Sequence, residues 1–433
     1  MNTKLPLTLL LAASILSCSG PSQKATRAVR DKSYQLEQVI VISRHNVRAP
    51  LSKNIDAARE NVTHPEALKK FPDLGSNLTL QGGTLEMIMG QYFRMWLREE
   101  GLLPDIDKDS LDVVPDTRLF YFGASPRERT VASTRAFTAG FLPSADIVIH
   151  HKDYASGKHD PDYLPYLIAP ESMKDTAAFN AQFRTQAEES IKKIIEKYKP
   201  ELEKAFTLLQ DKVGFIRNSS VDSIWSEVNL DFFKDKSIKE PEFNKSSDLL
   251  HANQICDALI LQYYVFPDNP GIKATEEEWR TIAGVKDIYS EILFTAPSVA
   301  VNVSHGLLAK VKEEGIDSGR PFSFFCTHDT SISALLAALK TKPYKIENSI
   351  ERLTPNGCKV LIEKYSHEGK MLAKVVLMYQ TNEQLQNRTV LDYKHGPHPD
   401  TLELSFRGIP KDQQGYLSWE ALENRIDSTL TAF

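Results

Sequence analysis

The sequence has few cysteines, no tract rich in lysine and arginine, and no internal repeat. Four of its 433 residues are cysteine, and its formal net charge at pH 7 is -5. The lack of a basic tract argues against a nucleic-acid partner. With 41% hydrophobic and 25% charged residues, the chain is typical of globular proteins, and its length allows one large domain or two smaller ones.

The only signal-like apolar stretch lies at the amino terminus. Lys4 precedes a short apolar core at residues 9–16, which is too short to span a membrane and is typical of a secretory signal over residues 1–20. Residues 15–18 resemble a bacterial lipobox, which would make Cys18 the lipidated first residue of the mature protein. Cleavage nearby to a soluble exported protein is the alternative. We expect export to the periplasm or cell envelope, with residues 21–36 as a tether and membrane contact only through the lipid.

Three cysteines remain after export: Cys256, Cys326 and Cys358. Disulfides are allowed in that compartment, but an odd number leaves at least one thiol free. The sequence does not select a pair, and the apolar neighbours of all three make buried free thiols an equal alternative.

Strand and helix patterns alternate along most of the chain. Residues 39–42, 119–122 and 321–326 read as buried strands, residues 358–365 and 372–379 as a hairpin, and 401–406 as a further strand. Helical spacing covers residues 85–97, 131–140, 187–198, 249–264, 279–293, 298–311 and 332–339, with Pro200, Pro241 and Pro267 as expected breaks. We predict an α/β fold: a mainly parallel central sheet flanked by helices over residues 37–154 and 271–433, with an inserted α-helical cap domain over residues 155–270.

Polar side chains with phosphate chemistry follow three of these strands. Arg44, His45 and Arg48 follow the first, Arg129 the second, and the pair His328-Asp329 the third. The carboxyl ends of parallel strands share one edge of a sheet, where ligands bind, and a helix starting near residue 330 would point its positive end there. Arginine binds phosphate through two parallel hydrogen bonds, and a neutral imidazole can attack phosphorus.

The segment Arg44-His45-Asn46-Val47-Arg48-Ala49-Pro50 resembles the signature of the histidine acid phosphatases, Arg-His-Gly-x-Arg-x-Pro. Asn46 replaces the glycine, as in the glucose-1-phosphatase branch, whose close relatives are phytases. Segments 259–264, 293–297 and 351–355 also look like this branch. The resemblance covers nearly the whole mature chain and implies a phosphoglycerate-mutase-like fold.

The resemblance also implies roles for the amino-terminal site residues. His45 would be the nucleophile that becomes a phosphohistidine, and Arg44 and Arg48 would bind the phosphoryl oxygens. Arg129, in an Arg-Thr pair that opens a helix, would complete this clamp. Weaker candidates for the third arginine are Arg127 and Arg135.

From the distal pair, the resemblance implies that His328 is a further phosphate donor and that Asp329 protonates the leaving oxygen. Asp257 matches an acidic position of the branch, and we expect it to orient the arginines and His45. Many relatives have Gly-His-Asp-x-Asn, whereas this chain has Ser331 at the last position, where we expect altered contacts with the leaving group.

The predicted chemistry needs no metal and no cofactor, because the arginines supply the positive charge. A carboxyl beside a dianionic phosphate should have a raised pKa, so we expect Asp329 to be an effective acid and activity to be highest at acid pH. The paired histidines at 150–151 and at 395 and 398 lack the spacing of known metal sites.

The sequence thus predicts an exported histidine acid phosphatase acting on a small phosphorylated substrate, such as glucose 1-phosphate. A phytase is the alternative, and a mainly acidic chain with Lys53 as the nearest basic residue after the signature argues weakly against it. A sugar-phosphate-binding lipoprotein without activity, which would need neither His45 nor Asp329, is a rival from another class. A mutase that uses phosphohistidine is a third reading, against which the export signal argues.

Overall fold

The computed structural model describes residues 33–71, 75–103, 116–153, 159–169, 176–231 and 239–433. The predicted signal, Cys18 and most of the predicted tether lie outside these residues. The predicted tether overlaps the first strand, because Tyr34 and Leu36 are already buried.

A seven-stranded mixed sheet forms the centre of the molecule. The strands are β1 (Gln35–Arg44), β2 (Phe120–Ala124), β3 (Phe322–Thr327), β4 (Lys359–His367), β5 (Lys370–Tyr379), β6 (Asp400–Glu403) and β7 (Leu417–Ser418). Their order is β2-β3-β1-β4-β5-β6, and β7 pairs with β5. The pairs β1–β3 and β2–β3 are parallel, and the other pairs are antiparallel. The α/β fold is confirmed, and the parallel part of the sheet is confined to the three strands that precede the predicted site residues.

The register places the ends of these three strands at one edge. Arg44 pairs with Thr327, and Ala124 pairs with Cys326. The residues that follow β1, β2 and β3 therefore lie at the same edge of the sheet, as the sequence predicted.

Ten α-helices are described. They are α1 (Ser52–Glu60), α2 (Leu80–Glu99), α3 (Glu128–Phe141), α4 (Thr176–Val213), α5 (Asp248–Val265), α6 (Glu276–Phe294), α7 (Pro297–Lys310), α8 (Asp329–Ala338), α9 (Asn382–Asn387) and α10 (Trp419–Thr431). A π-helical segment, Val311–Asp317, continues α7.

The helices cover both faces of the sheet, and β1 explains why. Its residues Val39 and Val41 pack into the core shared with α2 and α3, whereas Ile40 and Ile42 pack into the core shared with α7, α8 and α10. Side chains alternate between the faces of a strand, so a strand buried on both faces is apolar at every position. The unbroken apolar run at 39–42 follows from this burial.

Between α3 and β3 the described elements are helices and isolated bridges. Buried side chains of α4 and α5 form one apolar cluster with those of α6, including Ile282 and Ile292. This cluster continues past the expected domain boundary at residue 270, and the division into domains stays a prediction.

The expected helix break at Pro200 is wrong, because α4 continues through it. A proline inside a helix costs about 3 kcal/mol or more. The same helix buries Leu202, Phe206 and Leu209 beyond the proline, and full burial of each such side chain contributes about 1.5–3 kcal/mol. Apolar packing thus outweighs the lost hydrogen bond.

The remaining cysteines Cys256, Cys326 and Cys358 are buried free thiols. Among the described residues, no single helix has the length and apolar composition to cross a membrane. One pair of helical segments, Glu276–Phe294 and Pro297–Asp317, meets these criteria jointly but is bent by 92°.

Candidate active site

A cavity of about 830 Å³ opens at the carboxyl ends of β1, β2 and β3. Its wall brings together residues from the loop after β1 and from α3, α5, α6 and α8, which are far apart in the sequence. The predicted site residues in this wall are His45, Arg48, Arg129, Asp257, His328 and Asp329.

His45 follows β1 directly and is 3% exposed. Its Nδ1 lies 2.8 Å from the carbonyl oxygen of Asn46, and because a carbonyl only accepts, Nδ1 carries the proton and Nε2 has the free lone pair. Burial, together with the charges of Arg129, Arg44 and Arg48 and the proximity of His328, holds the pKa of His45 well below its usual range. This lowered pKa favours the neutral imidazole, which is the form that a nucleophile needs.

Arg48 is held by Asp257 from α5. Its Nη2 lies 3.1 and 3.0 Å from the two carboxylate oxygens. Lys286 of α6 donates to the same carboxylate at 3.2 Å. Burial alone would raise the pKa of Asp257, but these two cations lower it, so the carboxylate is ionised and fixes Arg48 in the wall.

Asp329 opens α8, and both of its carboxylate oxygens have donors. Oδ1 accepts from the backbone N–H of Thr330 at 3.0 Å. Oδ2 lies 2.8 Å from Nζ of Lys286 and 3.3 Å from Nη2 of Arg44. Burial would raise the pKa of Asp329, but Lys286 and Arg44 hold it well below its usual range. The raised pKa expected beside a phosphate dianion is therefore not a property of the ligand-free protein.

Arg44 does not lie in the cavity wall, unlike the other predicted phosphate ligands. It is 1% exposed, and its Nη1 donates to Glu351 Oε1 at 2.5 Å and to the carbonyl of Thr354 at 2.6 Å. Burial opposes the charge of Arg44, but Glu351 and Asp329 raise its pKa. Here the guanidinium acts on the site through Asp329, and its Nε is without a hydrogen-bond partner among the described residues.

Arg129 and His328 meet across the cavity floor. Nη2 of Arg129 lies 3.3 Å from Nδ1 of His328. Burial and the nearby charges of Arg48 and Arg127 lower the pKa of Arg129. This cluster of cations is incompletely compensated, which favours binding of an anion.

Arg129 determines the tautomer of His328 through Nδ1, and the hydroxyl of Ser125 is the partner of its other ring nitrogen. Nε2 of His328 lies 3.0 Å from Ser125 Oγ, which lies 2.8 Å from Thr130 Oγ1. Thr130 Oγ1 in turn donates to the backbone carbonyl oxygens of Ser125 and Arg127. Since Arg129 can only donate to Nδ1, Nε2 of His328 carries the proton and donates to Ser125. Burial and Arg129 lower the pKa of His328, which keeps this neutral tautomer.

Three further expectations concern the wall. The weaker candidates Arg127 and Arg135 both line the cavity, whereas Lys53 does not. Ser331, for which we expected altered contacts with the leaving group, donates its buried hydroxyl to the carbonyl of Tyr163 at 3.0 Å and lies outside the cavity wall, and the effect on the leaving group stays a prediction.

Asn46, the residue that replaces the family's glycine, also lies outside the wall. Its side chain is buried behind the nucleophile loop, where Nδ2 donates to Glu86 at 2.9 Å. Gly357 permits this position, because a Cβ there would lie 2.2 Å from Asn46 Nδ2. Position 46 therefore shapes the loop and has no route to direct contact with a ligand in this cavity.

Sequence reasoning missed Lys286 and the roles of Ser125 and Glu351. A signal for Lys286 does exist: α6 buries most of its residues, and a lysine within such a helix indicates a buried anionic partner. No comparable sequence signal identifies Ser125 or Glu351, since both depend on contacts between distant segments.

Among the described residues, no group of three or more histidine, cysteine and carboxylate side chains is placed to hold a metal. The two paired-histidine motifs have separate contacts. His150 stacks on Tyr121 at a ring distance of 4.9 Å, His398 Nδ1 lies 3.2 Å from the hydroxyl of Tyr92, and His151 lines the cavity.

Comparison with known proteins matches residues 35–389 to the family described as the histidine phosphatase superfamily, branch 2. The chain is 32% identical to the glucose-1-phosphatase of Salmonella typhimurium over 435 residues, covering 98% of each chain. It is also 32% identical to the glucose-1-phosphatase of Providencia rettgeri over 445 residues, again covering 98% of each. The solved phytase of Citrobacter braakii has a similar fold, with a TM-score of 0.74, 20% identity, and coverage of 92% of this chain and 98% of that one.

Proposed function

This chain belongs to branch 2 of the histidine phosphatase superfamily and is a phosphomonoesterase, and we propose that it hydrolyses small sugar phosphates, foremost glucose 1-phosphate, through a phosphohistidine on His45. One observation carries this proposal: a histidine with a free Nε2 shares a cavity with Arg48, Arg129 and the carboxylate of Asp329.

The geometry supports a division of roles within that cavity. Nε2 of His45 attacks phosphorus, and Arg48 and Arg129 hold the phosphoryl oxygens, with Arg44 adding its charge from behind. His328 positions Arg129 through Nδ1, and Asp329 protonates the leaving oxygen. Charge-assisted hydrogen bonds of this kind contribute about 1.5–3 kcal/mol each, so the cluster supplies a useful part of the roughly 8–23 kcal/mol by which enzymes lower barriers.

The charges of the wall favour a substrate with one phosphate. Cationic and anionic side chains are equal in number: Arg48, Arg127, Arg129, Arg135 and Lys286 against Glu128, Asp153, Glu240, Asp257 and Asp329. A ligand with many phosphates would meet these carboxylates, whereas carboxylates accept hydrogen bonds from sugar hydroxyls. The two relatives at 32% identity are named glucose-1-phosphatases, in line with this preference.

A phytase activity is the second candidate. The similar fold of a solved phytase and the extra arginines Arg127 and Arg135 favour it. Steady-state kinetics on glucose 1-phosphate and on phytate would rank the two, and a higher kcat/KM for phytate would reverse our preference.

We further propose that the segment 155–270 is a cap domain over the site. Its residues Tyr166, Glu240, Asn253 and Asp257 line the cavity together with the residues that follow the strands, which supports this proposal. Glu240 is exposed in the cavity, so its carboxylate can accept a hydrogen bond from a substrate hydroxyl.

His45→Ala tests the catalytic proposal. We expect turnover to fall by several orders of magnitude, as for other nucleophile deletions, with phosphate-ester binding retained. Wild-type enzyme quenched in alkali during turnover should carry radiolabelled phosphate, and the variant should not. A labelled His45→Ala protein, or a wild type without turnover on any monoester, would contradict the proposal.

We also propose export and lipid attachment at Cys18, supported by the sequence of residues 1–20 alone. Expression with labelled palmitate should label the wild type and leave Cys18→Ser unlabelled. Labelling of the variant would place the lipid elsewhere, and an unlabelled wild type found in the soluble periplasmic fraction would favour simple cleavage.

A further inference from the structure

The proposed acid, Asp329, is surrounded by cations in the ligand-free protein. Lys286 lies closest, at 2.8 Å from Oδ2, and Arg44 lies 3.3 Å from the same oxygen. The other oxygen accepts the N–H of Thr330. Three of the roughly four lone-pair sites of this carboxylate therefore face donors, and each donor stabilises its ionised form.

The wider surroundings point the same way. His45 from the end of β1, His328 from its own loop, Arg129 from α3, Asp257 from α5 and Glu240 from the cap face this region. Both histidines are neutral, and Asp257 is itself paired with Arg48 and Lys286. The remaining positive charge stabilises the ionised form of Asp329, although the proposed reaction needs its acid form.

Lys286 is placed to change partners. Its Nζ lies 2.8 Å from Asp329 Oδ2 and 3.2 Å from Asp257 Oδ1. A phosphate held by Arg48 and Arg129 would bring negative charge to Asp329 and favour its protonation, while Lys286 keeps Asp257 as a partner. The lysine therefore never becomes a buried charge without a counter-ion, whichever state Asp329 adopts.

We propose that Lys286 is a positioning residue that keeps Asp329 as a carboxylate until substrate binds, and that the proton given to the leaving oxygen enters with the substrate's own phosphate monoanion. This inference rests on the proposed function of the site. It makes the singly protonated ester, not the dianion, the form that the free enzyme accepts.

The proton and the bonds balance. On binding, the P–OH of the ester gives its proton to Asp329, which leaves a bound dianion. The Nε2 lone pair of His45 then forms the N–P bond as the bond from phosphorus to the ester oxygen breaks, and that oxygen takes the proton from Asp329. Water later attacks the phosphohistidine, which breaks the N–P bond, and gives a proton to Asp329. Asp329 passes this proton to the product, which leaves as dihydrogen phosphate.

Inorganic phosphate is the probe, because its binding is free of turnover. Calorimetry in buffers of different ionisation enthalpy counts the protons exchanged on binding. Above the second pKa of phosphate, where the free ligand is the dianion, the wild type should take up about one proton per site, with affinity falling about tenfold per pH unit. Asp329→Asn should take up none.

Lys286→Met tests the role of the lysine at acid pH, where free phosphate is the monoanion. The wild type should exchange no proton there, whereas the variant, with Asp329 already protonated, should release a measurable fraction of one. Lys286→Arg, which keeps the charge, should behave like the wild type. The wild-type measurement stands by itself if Lys286→Met fails to fold.

Two results would overturn the inference. If the wild type binds the phosphate dianion without taking up a proton, the substrate is not the source of the proton on Asp329. If Lys286→Met exchanges as many protons as the wild type, Lys286 does not keep Asp329 ionised. Either result, in a protein that still forms the alkali-stable phosphohistidine, leaves the proposed function in place.

Discussion

Two charged clusters flank the nucleophile loop, and they are built on opposite principles. The front cluster faces the cavity through Arg48, Asp257, Lys286 and Asp329 and includes Arg44 behind them. The back cluster consists of Asn46, Glu86 and Lys359, and its side chains are fully buried.

The back cluster is closed. Nζ of Lys359 lies 3.1 Å from both carboxylate oxygens of Glu86 and 2.9 Å from the carbonyl of Gly357. Asn46 donates to Glu86 at 2.9 Å and accepts from the N–H of Val47 at the same distance. Every charged group has its partners inside the protein, so this cluster holds the backbone beside His45 and exchanges nothing with a ligand.

The front cluster, in contrast, shares its partners. Lys286 is divided between two carboxylates, and Arg44 between Glu351 and Asp329. Donors shared in this way can be taken over by an incoming anion. The comparison teaches that one set of residue types can serve two purposes. Where water and ligand are excluded, the charged side chains fix a loop, and where the cluster faces a cavity, they can bind an anionic ligand.

The two clusters also respond to pH with opposite sign. Burial raises the pKa of Glu86, and Lys359 and Asn46 reverse this only in part. A carboxyl with a raised folded-state pKa contributes more to stability as pH falls through that pKa. The pKa of Asp257 is instead lowered by Arg48 and Lys286 against the effect of burial. Asp257 therefore stabilises the folded protein at pH values above its unfolded pKa, and this stabilisation is lost as pH falls through its folded pKa.

The largest effect should follow from opening the back cluster. Glu86→Gln leaves Lys359 as a buried charge, which should lower the free energy of unfolding at neutral pH by about 3–5 kcal/mol, measured by urea denaturation. Because Glu86 has a raised pKa, its contribution to stability grows as pH falls, so the loss should be larger at acid pH.

The matched control is Glu189→Gln, which breaks an exposed helical pair with Lys193. That change should leave the free energy of unfolding nearly unchanged, because exposed ion pairs contribute little to stability. Equal losses for the two variants would contradict the distinction between closed and exposed pairs.

In the front cluster, Asp257→Asn should mainly impair activity. Arg48 loses its bidentate partner, and kcat/KM should fall by about 100-fold, as for loss of one preorganised donor. Asp287→Asn is the control, because this neighbour of Lys286 accepts from the backbone of Arg352 and lies outside the cavity wall. Unchanged kinetics in Asp257→Asn would exclude it as a positioning residue.

A smaller effect is expected from Ser125→Ala, which removes the acceptor of the Nε2–H of His328. Loss of one such bond, at about 0.5–1.5 kcal/mol, should lower kcat/KM by up to about tenfold. Ser331→Ala removes a buried hydroxyl outside the wall and should leave kcat/KM as in the wild type. If Ser331→Ala lowers kcat/KM more than Ser125→Ala does, the assignment of Ser125 as the serine that supports the site is wrong.

The smallest effect is expected from Asn46→Gly on substrate choice. Asn46 does not reach the cavity, so the ratio of kcat/KM for glucose 1-phosphate to kcat/KM for phytate should change by less than about threefold. This change is smaller than the effect of losing one hydrogen bond to the substrate. Stability should fall, because Glu86 loses a donor. A large change in the ratio with unchanged stability would show that position 46 acts on the ligand.

Much of the fold was predictable because its strands are buried on both faces. The apolar runs at 39–42 and 321–326 located β1 and β3, and the glycine at 369 marks the hairpin turn between β4 and β5. Pro200 was misjudged, since a local penalty was weighed without the burial of Leu202 and Phe206. The extent of antiparallel pairing depends on which strand β4 joins, and this is a choice between distant segments.

The sequence by itself determined the chemistry of this protein. Arginine, histidine and aspartate placed directly after parallel strands converge on one edge, because strand direction and strand ends are local properties. Only the tertiary structure decided how that chemistry is controlled. The pairing of Asp329 with Lys286, of Arg44 with Glu351 and of Asn46 with Glu86 joins segments tens to hundreds of residues apart, and the charge state of a buried group depends on such neighbours and not on its place in the chain.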